Sequence, residues 1–107
     1  MARQIRGADW EAEVLRSPVP VLVDLYSKHC NPCQALAPLI DRLAGEYGGK
    51  AKVLKLNIAE GVEVATALGV SSVPTVVAFR GGNEVGRLVG LRSEQQYRRL
   101  LGQAGVE

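Results

Sequence analysis

The chain has 107 residues, 47% of them hydrophobic and 22% charged, with a formal charge of +2. That composition excludes a disordered segment and suffices for one domain, residues 1–107, around one hydrophobic core. Basic residues are spread along the chain, which argues against a nucleic-acid or anionic-membrane surface, and two cysteines are too few for a disulfide scaffold.

Met1 to Trp10 contains no apolar run of the kind a secretory leader needs, and no segment approaches the roughly 18 apolar residues of a membrane span. A reducing cytoplasm is the expected compartment, and there a close cysteine pair is catalytic or metal-binding more often than structural. Arg3 to Arg6 reads as a short edge strand. Asp9 is placed to cap a short helix to about Arg16, with Trp10, Val14 and Leu15 on its inner face, and Ser17-Pro18-Val19-Pro20 stops it. Val21 to Tyr26 is apolar on both alternating faces, the pattern of a central strand. From Gln34 to Tyr47, Leu36, Ile40, Leu43 and Tyr47 recur at helical spacing; Pro38 should kink this helix and Gly48-Gly49 ends it.

Val53 to Ile58 is the next strand and Val62 to Leu68 a short helix ended by Gly69. A turn at Ser71-Ser72-Val73-Pro74 leads to a strand, Thr75 to Phe79. Gly81-Gly82-Asn83 turns it back into Glu84 to Val89 as a hairpin. Ser93 caps a last helix with Tyr97, Leu100, Leu101 and Ala104 on one face, and Arg98 and Arg99 on its solvated side. Strands separated by helices imply parallel pairing, with an antiparallel strand added by the hairpin. The expected fold is α/β, a mixed central sheet with helices on both faces.

The chemistry concentrates in His29-Cys30-Asn31-Pro32-Cys33. Strand, tight turn and helix put both thiols at a helix N-terminus, where unpaired N–H groups and the helix dipole stabilise a thiolate. Proline is tolerated there because its missing N–H has no helical partner to lose. Spacing by two residues on the first turn permits an exposed thiol that attacks a disulfide and a protected one that acts second. A metal is the competing use. A structural zinc takes about four ligands, yet there is no second cysteine pair, His29 is the only histidine, and adjacent residues rarely reach one metal together. No metal is expected. No phosphate-binding glycine loop is present either, and no cofactor is expected.

Asp24 lies mid-strand in apolar company, where burial should raise its pKa. By residue type alone it is equally a proton-transfer group or a structural one, at an edge position or in an ion pair with Lys55. Pro74 in its turn would by frequency follow a trans bond.

Val21-Leu22-Val23-Asp24, the Cys30 to Cys33 pair, Ala37-Pro38, Lys55-Leu56-Asn57, Val73-Pro74-Thr75 and Val89-Gly90, in this order, resemble the thioredoxin family from about Asp9 to Gly102. The resemblance implies the thioredoxin fold and reduction of protein disulfides. It makes Cys30 the exposed nucleophile, Cys33 the buried resolving thiol and Pro74 a cis proline beside them. Asp24 becomes the buried carboxylate that moves the Cys33 proton, with Lys55 near it. His29, Asn31 and Pro32 border the pair, and Ile58, Ser72, Val73, Val89 and Gly90 flank a substrate groove. Electrons would come from a separate flavin-containing reductase, and a monomer is expected. The family usually has Trp-Cys-Gly-Pro-Cys; here His29 replaces Trp, Asn31 replaces Gly, and Tyr26 stands where another Trp is usual. These departures bear on partner choice and redox potential. A rival use of the same fold is a binding or assembly module without redox turnover, for which Asp24, Pro74 and both cysteines would not be needed together.

Overall fold

In the computed structural model, which describes residues 1–106, five strands form one mixed sheet. They are β1 (Arg3–Ile5), β2 (Val21–Tyr26), β3 (Lys52–Asn57), β4 (Thr75–Arg80) and β5 (Asn83–Val89). Their order across the sheet is β1-β3-β2-β4-β5, so β2 is central, as its two-sided apolar pattern requires. The helices are α1 (Asn31–Glu46), α2 (Val62–Ala67) and α3 (Glu94–Gln103). The expected mixed α/β sheet is therefore present.

One expected pairing is corrected. β2 and β3 run parallel, but β4 runs antiparallel to β2 although a helix precedes it. Helix length is the reason. α1, with 16 residues, is about 24 Å long and returns the chain along the whole sheet. α2, with six residues, is only about 9 Å long, whereas a strand of that residue count spans about 20 Å. The chain therefore enters β4 from the end at which it left β3. Gly81 and Gly82, both at positive φ, then form the two-residue hairpin turn into β5, the backbone that side chains disfavour and glycine accepts.

The first helical segment also differs from expectation. Gly7–Asp9 is a 3-10 turn, and Glu11–Leu15 is wound wider, with the Arg16 N–H bonded to the Glu11 carbonyl at 2.9 Å. Asp9 caps from inside the turn, accepting from the Arg6 N–H at 2.9 Å. Trp10 and Val14 are buried, but Leu15 is 41% exposed, because the wider winding carries it off the face that α-helical spacing would give it. Arg98 is a second correction. It binds Glu46, Glu94 and the Tyr47 hydroxyl, and so joins α3 to the end of α1 instead of standing in solvent.

The core has two parts. Leu22, Leu36, Ile40, Leu43, Val76, Ala78, Tyr97 and Leu101 fill the side covered by α1 and α3. Trp10, Val14, Val23, Leu25, Leu54, Leu56 and Phe79 fill the other. Successive β2 residues alternate between the two, which places Asp24 on the α1 side.

Candidate functional site

Helix α1 starts at Asn31, earlier than the apolar spacing indicated, because Cys30 itself is the capping residue. Its sulfur accepts from the Cys33 N–H at 3.2 Å, and its carbonyl accepts from the Gln34 N–H at 3.0 Å. Pro32 occupies the first turn, where no backbone donor is missed. A first-turn N–H thus points at the Cys30 sulfur, in the sense that stabilises negative charge there. Cys30 and Cys33 are joined as a disulfide, with Cα atoms 5.2 Å apart. The expected contrast between an exposed Cys30 and a buried Cys33 is corrected: in the disulfide both are buried, Cys30 at 9% exposure and Cys33 at 4%, with the Val73 carbonyl against the Cys30 sulfur. His29, Asn31 and Pro32 are all exposed around them.

The turn before β4 meets the pair from the other side. The Val73–Pro74 bond is cis, and the Val73 carbonyl oxygen lies 3.8 Å from the Cys30 sulfur. The Thr75 hydroxyl donates to the Ser72 carbonyl at 2.7 Å, fixing the turn. The Gly90 N–H donates to the Pro74 carbonyl at 2.8 Å, and Val89 pairs with Thr75 in the sheet. Ser72, Val73, Pro74, Val89 and Gly90 are therefore tied into one turn and sheet end, of which Val73 reaches Cys30. Ile58 opens a 3-10 turn after β3 and packs, half-buried, against the core under α2.

Behind the pair is a cavity of about 160 Å³ whose lining includes Asp24, Cys33, Asp41 and Lys55. Asp24 is buried, and its Oδ1 has no hydrogen-bond partner among the described residues. Desolvation pushes its pKa up to about 7, against the pull of Lys55 and with a smaller push from Asp41. Asp24 and Lys55 face each other in the β2–β3 register, yet no hydrogen bond joins them among the described residues. An ordinary structural ion pair does not describe this arrangement. A carboxyl that changes protonation near neutral pH, on a cavity that Cys33 also lines, is fitted to proton transfer. No group of three or more potential metal ligands occurs among the described residues, and no helix there is long and apolar enough to cross a membrane.

A family model described as Thioredoxin matches residues 2–103. The chain belongs to the thioredoxin family. It is 44% identical over 89 residues to thioredoxin 1 of Nostoc sp., covering 83% of each chain. It is 38% identical over 94 residues to the thioredoxin of Rickettsia felis, covering 88% of this chain and 90% of the relative. It is also similar to the chloroplastic M-type thioredoxin of Chlamydomonas reinhardtii, at 46% over 77 residues, 72% of this chain and 55% of that one. This thioredoxin is a thiol–disulfide oxidoreductase that reduces protein disulfides through Cys30 and Cys33, and a reductase partner returns it to the dithiol.

Three contributors at the site escaped sequence reasoning. Thr75 secures the turn, as above. Tyr97, placed in the sequence only as a core residue, donates its hydroxyl to the Gly90 carbonyl at 3.2 Å and accepts from the Arg92 N–H at 3.1 Å. It thereby fixes the loop that carries Gly90; a buried tyrosine hydroxyl needs such partners, which is a usable signal. Asp41 follows Cys33 by eight residues on α1, a spacing that returns to the same helix face.

Proposed function

We propose that Cys30 is the attacking thiol of this thioredoxin, Cys33 the resolving thiol, and Asp24 the group that exchanges the Cys33 proton. The Cys30 thiolate attacks one sulfur of a substrate disulfide, forming a mixed disulfide and expelling the other sulfur as thiolate. Asp24, ionised, takes the proton of Cys33. The Cys33 thiolate then attacks the Cys30 sulfur, releases the second substrate thiolate and leaves the Cys30–Cys33 disulfide. The substrate gains the two electrons that the dithiol loses. The supporting observation is the unpartnered Asp24 oxygen on a cavity that Cys33 also lines.

In this reading Lys55 is the cation that keeps the ionised form of Asp24 accessible. Pro74 and Val73 present the turn against which a substrate chain lies. His29, Asn31, Pro32, Ser72, Val89 and Gly90 border that chain, and Ile58 closes the groove beyond β3. A flavin-containing thioredoxin reductase supplies electrons, and the protein works as a cytoplasmic monomer. The spread of basic residues and the absence of any extended charge run support a freely diffusing carrier.

The test is trapping. Cys33→Ser should accumulate stable mixed disulfides with an oxidised protein substrate, because attack survives and release is lost. Accumulation with Cys30→Ser and not with Cys33→Ser would reverse the two roles.

A further inference from the structure

The cavity behind Cys33 holds a second carboxylate that the proposed reaction leaves unused. Asp41 sits on α1, half-buried, and lines the same space as Asp24. It is not a loose surface group. Its Oδ1 accepts the Ala2 backbone N–H at 2.9 Å, and Ala2 is buried just ahead of β1. The residue that leads into β1 thus anchors this carboxylate on the cavity wall. The cavity, of about 160 Å³, is lined by both carboxyls, so a charge on one wall acts on a group on another across it.

We propose that Asp41 is a positioning residue of the proton-transfer cavity, acting on Cys33 through Asp24. The proposal rests on the Asp24 reading above. Two fixed charges of opposite sign confront Asp24. Lys55 on β3 favours its carboxylate, and Asp41 on α1 opposes it. The balance between them sets the pH at which Asp24 is free to accept the Cys33 proton. Without the Asp41 charge, Asp24 would ionise earlier and be a weaker base when it does. The other titratable or charged groups around Asp24 are Cys33 on α1, Tyr26 on β2 itself and Lys28 in the loop after it, all lining the cavity, and Tyr97 on α3. Desolvation, with Glu60 and Asp24 nearby, raises the Tyr26 pKa, and desolvation raises that of Tyr97. Both phenols are therefore neutral where Asp24 titrates. On β4 the residue opposite Asp24 is Val76, which brings no charge.

The experiment follows release of a mixed disulfide between Cys30 and a small aromatic thiol, recorded from pH 5 to 9. The proteins are wild type, Asp41→Asn, Asp41→Ala and Asp24→Asn. Asn at 41 keeps an acceptor for the Ala2 N–H and removes only the charge. Asp24→Asn should erase the Asp24 inflection from the profile. Asp41→Asn and Asp41→Ala should both move that inflection to lower pH, by about half a unit, as expected for loss of a like charge facing the same cavity. If Asp24→Asn leaves the profile intact, the Asp24 reading fails and this proposal with it. If Asp24→Asn erases the inflection but Asp41→Asn leaves it in place, only the Asp41 proposal is overturned. A shift in Asp41→Ala alone assigns the residue to holding Ala2, which also overturns it. Asp41 variants that only melt earlier, with the inflection unmoved, overturn it in the same way.

Discussion

Leu25 and Asp24 are neighbours on β2 and enter opposite faces of the sheet. Leu25 joins Val23, Leu54, Leu56, Trp10 and Phe79 in a continuous apolar layer, where Trp10 and Phe79 meet edge to face at 5.3 Å. Asp24 enters the face covered by α1, where the layer is interrupted by a cavity and a carboxyl oxygen has no partner. One face is apolar throughout; the other accepts a costly buried carboxyl on a cavity that Cys33 also lines. The disulfide chemistry sits beside the one interruption of an otherwise well-buried face, where a protein whose function needs a titrating group should place it.

Removing the largest side chain of the apolar face should test this most forcefully. Trp10→Ala should cost about 3–5 kcal/mol of stability, as large-to-small changes of buried aromatics do. The folded fraction should reduce insulin disulfides at the wild-type rate, because Trp10 lies across the sheet from the cavity that Cys33 lines. Urea unfolding and a turbidity assay with dithiothreitol measure the two quantities. A loss of rate equal to the loss of stability would show that the faces are coupled.

The opposite face should answer in the opposite direction. The folded protein binds the Asp24 proton more tightly than the unfolded chain, with the pKa raised from 3.8 to about 7. The stability this proton provides is present below the lower value, fades as pH rises between the two, and is gone above the higher one. At 1.36 kcal/mol per pH unit the whole span is about 4 kcal/mol. Asp24→Asn should therefore be more stable than wild type by about 2–4 kcal/mol at pH 8, nearly equal near pH 4, and slower in turnover. Unfolding in urea at pH 4, 6 and 8 follows the trend. A variant less stable than wild type at pH 8 would restore the structural ion pair with Lys55.

Much of this was legible in the sequence, and what was not has identifiable causes. The six-residue run at β2 has apolar residues on both of its faces, so its central position could be read directly. The cysteine spacing located the site because two thiols and a proline on one helical turn serve few purposes. Apolar spacing alone shows α1 only from Gln34, but Pro32 and the thiol spacing placed the pair at its N-terminus, where a cysteine sulfur acts as the cap in place of the usual side-chain oxygen. Leu15 was misplaced because the face of a helix was assigned at 3.6 residues per turn to a segment that is not wound that way. The direction of β4 depends on how far α2 carries the chain, a length comparison that local periodicity does not make. Asp41 carries no signal in composition; it matters because α1 lays it over the cavity that Asp24 enters from β2.

His29 and Asn31 approach the cysteine pair from the solvent side, as Asp24 does from within, and they should produce the smallest effect. Both are exposed, and both stand where the family usually has other residues. A protonated imidazole beside Cys30 stabilises its thiolate through space. Oxidation consumes that thiolate, so stabilising it favours the dithiol and makes the disulfide the stronger oxidant. The Asn31 side chain acts in the same direction if its amide donates to sulfur. One pKa unit is about 1.4 kcal/mol, and about 30 mV is the same energy for a two-electron couple. Solvent screening leaves an exposed residue only part of that. Replacing the pair together, His29→Trp with Asn31→Gly, should make the potential more negative by roughly 10–30 mV at pH 6, measured against a glutathione buffer. An unchanged or more positive potential would assign these two residues to partner recognition, and would leave Asp24 and its cavity as the part of the site that sets the chemistry.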